Sequence, residues 1–324
     1  MNGDPFALRA LLGPSAVLCR AALTGSHGVA LPPLIDHHIH LHLIDESGFA
    51  AGGIAGVVDL GGDPVALARR PLDHIPRLAY AGAILTPRGG YPTGRTWAPD
   101  TIWREVTDSS LHPGIAGGAA TAVQEQATFG AAVIKVALHA GTAAFDAMTL
   151  GAIVEVAHEN SLPVVAHVQG EGMLRLALDA QVDVLAHTPF SEALTPDLVG
   201  ECVEAGQQWI STLDIHRDDP AAISHATQNL TTFAAAGGHV LYGTDLGNGD
   251  LPVGINVREV AAMNAAGIQG SALIDTLIDA WPYNDALAGV ATFVPGDPPA
   301  SIEHIPRWLA NATVVPHEEL VHDD

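Results

Sequence analysis

The stretch LIDHHIHLH, Leu34 to His42, packs four histidines into nine residues directly after two prolines. In a strand, residues two apart share a face. His38 and His40 therefore project together, while His37 and Ile39 turn the other way, and two imidazoles side by side form a chelating pair. Asp36 lies on the same side but deeper, and His42 falls beyond the strand; neither is given a role. Other apolar runs also carry one polar residue near their ends: Lys135 in VIKVALH, His167 in VVAHV, His187 in VLAHT and Asp245 in LYGTD. A single histidine at such a place is often incidental. Lys135 is harder to dismiss, because a buried ammonium between apolar flanks is costly without a partner. A nearby carboxylate, or chemistry on the amine, must neutralise it. Neutral imidazoles with a carboxylate suit Zn²⁺ and similar divalent ions.

The elements that position these residues follow from hydrophobic patterning. β-Branched apolar runs predict strands at 34–39, 53–60, 78–84, 131–138, 163–168, 182–187, 209–213 and 240–244. Alanine-rich segments of helical spacing stand between them, at 145–160, 172–181, 191–206 and 220–237. The third gap, TPRGGYPTGRTWAPDTIW, is rich in Gly and Pro and reads as a long loop before a helix. Strands alternating with helices call for a parallel sheet. Eight units over about 250 residues match a (β/α)8 TIM barrel, whose strand ends converge on one mouth. An open doubly wound sheet is the competing architecture, and the lack of a G-x-G-x-x-G after an early strand weakens its nucleotide-binding form. The expected division is an α/β barrel over residues 34–293 between an extension at 1–33 and another at 294–324. SAVLCRAAL leaves room for one or two more strands, and IPRWLANATVV for a helix and a strand.

Composition narrows the function. A chain of 324 residues, 48% hydrophobic and poor in aromatics, suits one large α/β unit. Thirteen basic against 36 acidic residues give a net charge of −23, which disfavours nucleic acid and anionic membrane surfaces as partners. A small-molecule substrate fits better, and assembly of identical copies is compatible with it. Two distant cysteines, Cys19 and Cys202, form no disulfide framework, so a reducing cytoplasmic location is expected. The opening MNGDPFALRA lacks the pattern of a signal peptide, and no apolar run reaches the length of a membrane span.

With the strand-end residues in place, the sequence resembles the amidohydrolase superfamily of metal-dependent hydrolases. PPLIDHHIH is similar to that family's P-G-x-x-D-x-H-x-H opening, with Pro33 where the glycine usually stands. Lys135 resembles the carbamylated lysine of the binuclear subtype, His167 and His187 the histidines after strands five and six, and Asp245 the aspartate after strand eight. The resemblance runs from Pro32 to Gly247. Within it VVDLGGD, AHVQGEG and DVLAHTPFSEAL look most like the prolidase-like and imidazolonepropionase-like branches. Many members carry a sizeable β-sandwich built from both termini; the short flanks here imply a reduced one, and VPGDPPASIEHIPRW replaces the usual ending.

The resemblance implies two divalent ions, zinc above all, bridged by Lys135 after it has taken up CO₂. His38, His40 and Asp245 would hold one ion and His167 with His187 the other. A hydroxide between the metals would attack a carbonyl, with Asp245 as general base and then acid. The implied reaction is cleavage of an amide bond in a dipeptide, an N-acyl amino acid or a cyclic amide. A lactone, carbamate or ester is the alternative on the same centre. Lys135 argues against a deaminase, since the superfamily's deaminases commonly use one metal without that lysine. A non-catalytic scaffold would be expected to lack ligands, and all six positions are filled. Substrate contacts are expected from the loops, at His139, Tyr91, Arg95, His216 and Arg217. The two arginines could grip a carboxylate, although an arginine in a Gly/Pro loop is commonly just solvated.

Overall fold

The computed structural model describes residues 4–71, 73–283 and 287–322, so residues 1–3 and 323–324 of the two extensions lie outside it. Its strands in chain order are β1 Val17–Ala21, β2 His27–Leu31, β3 Leu34–Ile39, β4 Ile54–Asp59 and β5 Arg77–Tyr80. Next come β6 Ile84–Thr86, β7 Trp103–Glu105, β8 Ile134–His139, β9 Val164–Gln169 and β10 Val184–Leu185. The last are β11 Gln208–Ile210, β12 His239–Leu241, β13 Val290–Pro295, β14 Thr313–Pro316 and β15 Leu320–His322.

Strands β3 and β4 are buried at every residue, as strands covered on both faces must be. β3, β4 and β5 pair in parallel, and a seven-stranded sheet runs β12-β11-β10-β9-β8-β6-β7, also parallel. Both edges of the three-stranded sheet are joined to the seven-stranded one. On one side the Ala132 N–H, just before β8, donates to the Tyr80 carbonyl of β5 at 2.8 Å. On the other, the N–H groups of His37 and His40 donate to the carbonyls of Tyr242 and Leu246, at 3.0 and 2.8 Å. Gly243 permits that approach: a Cβ there would meet Cγ2 of Ile210 at 2.3 Å and Cβ of His38 at 3.3 Å. The expected helices are present as Ala147–Glu159, Met173–Asp179, Pro196–Glu204 and Pro220–Ala235.

Three expectations need correction. The strand expected at 78–84 is two, β5 and β6. The chain turns at Gly82, φ 72°, where the Gln126 side-chain oxygen takes the Ala83 N–H at 2.8 Å in place of a ladder partner. The Gly/Pro-rich stretch leads not straight to a helix but into β7, which pairs with β6. An N-terminal helix, Pro5–Leu12, was not foreseen. Its signals are ordinary: an Asp4 cap, proline at the first turn and Gly13 at φ 95° beyond its end.

A five-stranded antiparallel sheet, β14-β13-β2-β1-β15, unites the two ends of the chain. It is fastened to the parallel strands through Thr292, whose hydroxyl accepts from the Leu34 N–H and donates to the Gly53 carbonyl. Among the described residues no helix is long and apolar enough to cross a membrane.

Candidate metal centre

Val133, Val165, Val184, Ile210 and Leu241 belong to one buried cluster inside the parallel strands. Period two places Lys135 next to Val133 on the same face of β8, and His167 next to Val165 on β9. Both therefore rise from that apolar layer into a cavity of about 240 Å³. His38, His40, His187 and Asp245 line the same cavity, so the six side chains singled out in the sequence meet there. All six are buried.

The local backbone fixes how they point. His38 donates from Nδ1 to the Ala186 carbonyl at 2.8 Å, and His40 from Nδ1 to the Gly61 carbonyl at 3.1 Å. Gly61 is itself held by Asp59, which accepts its N–H at 2.9 Å. With Nδ1 so engaged, the neutral form of each ring turns an unprotonated Nε2 inward. Those two nitrogens face Oδ1 of Asp245 at 3.2 and 3.3 Å. Asp245 adopts φ 55°, and its Oδ2 accepts the Asn248 amide at 2.9 Å, which sets the carboxylate plane. The ring of His187 is steered by Nδ1 contact with the Thr212 hydroxyl at 3.0 Å. Ligand atoms of His38, His187 and Asp245 all fall within 4.8 Å of one another.

The electrostatics show what this arrangement lacks. Burial holds the pKa of His38 and His187 well below the ordinary histidine range and takes His167 to about 3. Burial also lowers His40, but the Asp245 carboxylate beside it outweighs that and raises the ring. Burial works to raise Asp245, yet its imidazole neighbours His38, His40 and His187 hold it well below the carboxylate range. Desolvation brings Lys135 down to about 7. Nζ of Lys135, Nε2 of His167 and Oδ1 of Asp245 are buried with no hydrogen-bond partner. Lone pairs facing lone pairs beside unsatisfied donors is an arrangement that a cation completes. The donor set fits a divalent metal.

Asp36, left without a role above, is structural. It accepts from the His38 N–H, the Thr244 N–H and, at 2.6 Å, the Thr244 hydroxyl, and so pins β3 to the segment after β12. Burial raises its pKa to about 7. His37 turns away, its ring nitrogens against the carbonyls of Tyr242 and Asp279.

The loop residues divide. Tyr91 and His216 line the cavity. Tyr91 also stacks on His139, centroids 5.1 Å apart; His139 lies beside His167, centroids 5.8 Å apart, and is not among the lining residues. Arg95 is exposed, its Cζ 5.6 Å from the centre of the Tyr91 ring. Arg217 is not among the lining residues: it reaches Asp214 and Asp218 at 3.6 Å. Sequence reasoning missed Trp97, Gln169, Phe190 and Ile215, which also line the cavity. Only Gln169, two residues beyond His167 on the same strand face, carried a usable signal.

No family model matches the sequence, and no curated protein does. Solved structures do. A Xaa-Pro dipeptidase with methionine bound in its active site is similar over 91% of this chain and 87% of its own, with TM-score 0.70 and 17% identity. An amidohydrolase is similar over the same shares, with TM-score 0.68 and 17% identity. Molinate hydrolase is similar over 90% of this chain and 83% of its own, with TM-score 0.65 and 16% identity. At such identities the likeness is one of fold: the chain is folded as these hydrolases are.

Proposed function

We propose that this chain is a member of the amidohydrolase superfamily and hydrolyses an amide C–N bond of a small molecule, using divalent ions held by His38, His40, Lys135, His167, His187 and Asp245. The observation that carries the reading is the contact of Asp245 Oδ1 with Nε2 of two imidazoles whose Nδ1 atoms are engaged by backbone carbonyls. The two parallel sheets, hydrogen-bonded along both edges of the three-stranded one, are read as one (β/α)8 barrel over residues 34–293. The flanks 1–33 and 294–324 then supply the reduced sandwich, together with residues 290–293 of β13, which lie inside that span.

Zinc suits this donor set best. Lys135, an amine with its pKa near neutrality in an apolar wall, can add CO₂ and release a proton to become a carbamate. Its two oxygens would give each of two ions a ligand, the binuclear arrangement of the prolidase-like and imidazolonepropionase-like branches. Bound metal would polarise the scissile carbonyl and lower the pKa of water. The chain's own part is proton traffic and orientation. Asp245, fixed by Asn248, takes a proton from the attacking water as the C–O bond forms, and gives it to the leaving nitrogen as the C–N bond breaks. Cys19 and Cys202 are buried thiols, which agrees with a reducing, cytoplasmic setting.

The test is metal content per chain by plasma mass spectrometry, on protein expressed with zinc and bicarbonate, followed by an amide panel with lactone and carbamate controls. Two tightly held ions and amide cleavage are expected. One ion would remove Lys135 as a bridge, and none with the fold intact would end the metal reading.

A further inference from the structure

The loop after β6 carries a guanidinium that no carboxylate of the described residues engages. Its backbone is a run of turns: the N–H of Thr93 donates to the Gly90 carbonyl at 2.9 Å, that of Arg95 to Pro92 at 3.1 Å and that of Ala98 to Arg95 at 3.0 Å. The loop is docked on the turn after β8, where the Tyr91 N–H donates to the Thr142 hydroxyl at 3.1 Å. Arg95 therefore has a fixed place, between Tyr91 and Trp97, two residues that line the metal cavity.

Other arginines show what is usual in this chain. Arg88 pairs with Glu105, Arg104 with Glu125, and Arg217 with Asp214 and Asp218. With 36 acidic against 13 basic residues, a carboxylate is seldom far to seek. Arg95 instead has a ring, its Cζ 5.6 Å from the centre of Tyr91. A guanidinium held beside an aromatic ring keeps its fork of N–H groups open to an acceptor.

A second unused group lies close by. Nδ1 of His139 is buried without a partner, and the ring stacks on Tyr91 with planes 12° apart. Burial and the charge of Arg95 both lower the pKa of His139, so the ring is neutral and can donate one hydrogen bond. The same Tyr91 ring lies 4.8 Å from that of His167, so a group held at Arg95 stands about one ring away from the metal centre.

Resting on the hydrolase reading above, we infer that the substrate carries a carboxylate and that Arg95 is the specificity-determining residue that receives it at the rim of the cavity, with His139 as a second donor. The net charge of −23 disfavours the approach of any anion, and a guanidinium at the mouth offsets that locally. Its fork matches the two oxygens of a carboxylate. The scissile carbonyl at the metal centre and the carboxylate at Arg95 are then two fixed points, which is what orients a small substrate for attack.

Two matched pairs test this, each a carboxylate and its primary amide. N-benzoylglycine and N-benzoylglycinamide place the difference on the amine side of the scissile bond, and N-phenylsuccinamic acid and N-phenylsuccinamide on the acyl side. Cleavage by the metal-loaded protein is read as kcat/KM for release of benzoate or aniline, and binding of all four by calorimetry. The carboxylate is expected to be favoured by about tenfold in at least one pair, Arg95→Gln to bring that ratio to about one, and Arg95→Lys to keep part of it. Damage to the fold or to metal content would slow both members of a pair and leave the ratio standing. A preference that survives Arg95→Gln, as it would if the carboxylate went to the ions, overturns the inference and leaves the hydrolase reading in place. So does the lack of any preference, and binding of none of the four overturns it too. Arg95-dependent binding of a carboxylate with no cleavage of any compound upholds the inference and counts against the hydrolase reading.

Discussion

Tyr91 lies nearly flat against the imidazole of His167, ring centroids 4.8 Å apart and planes 19° apart. The loop after β6 thereby holds a side chain of β9 that has no hydrogen-bond partner at Nε2. Groups that orient a ligand commonly change metal affinity by roughly 10–100-fold when lost. Tyr91→Ala is expected to weaken metal retention by about tenfold, and Tyr91→Phe, which keeps the stack, to leave it unchanged. Competition with a chromogenic chelator measures both. Equal retention in the two variants would show that the stack does not orient His167.

Asp245→Asn keeps an oxygen toward His38 and His40 but cannot accept the proton of water. Metal content should largely survive while turnover falls by about 10²–10⁴-fold, the usual contribution of a positioned acid–base group. Steady-state kinetics beside plasma mass spectrometry decide it. Activity near that of the parent would remove Asp245 from the proton path.

Lys135 gives a pH signature in metal-stripped protein. Its folded pKa is about 7, against 10.5 for an ordinary lysine. Between those values the unfolded chain holds a proton that the folded chain does not, so stability rises with pH from about 7 toward 10, and on acidification it is lost over the same window and levels off below about 7. The slope from this one group approaches about 1.4 kcal/mol per pH unit. Lys135→Met should remove that slope, as urea titrations across the range will show. An unchanged slope would mean that the amine is not desolvated.

Gly243 is the point where the segment after β12 meets β3. A methyl group there would crowd Ile210 and the His38 backbone. Gly243→Ala is expected to cost about 1–3 kcal/mol, the range for overpacking a core, and to weaken metal binding through His38. Chemical denaturation and metal content together test the coupling. A loss of stability with normal metal content would separate the two.

Much of the framework was legible because it is written in short-range chemistry. β3 begins and ends where its apolar run does, at Leu34 and Ile39. The placement of Lys135 and His167 follows from period two once the strands are accepted. The break between β5 and β6 was not legible, because it depends on Gln126, a residue from a helix about forty positions on that takes the Ala83 N–H. The cavity walls were illegible for a similar reason. Trp97, Phe190 and Ile215 come from three loops, and nothing local says that they face one space. Arg217 shows the converse: its position after β11 suggested a substrate contact, while the ion pair that turns it toward Asp214 depends on how its own loop coils.

The hydrogen bonds joining Asp36 to Thr244 span 208 positions of sequence. During synthesis the histidines of β3 therefore leave the ribosome long before the carboxylate that completes their coordination. Until the segment after β12 has emerged and docked against β3, no nascent intermediate can present the full donor set. On the metal reading proposed above, stable acquisition of an ion would then require the chain to have emerged beyond Asp245, and a product truncated before His167 would carry only a loose, exchangeable pair of imidazoles from β3.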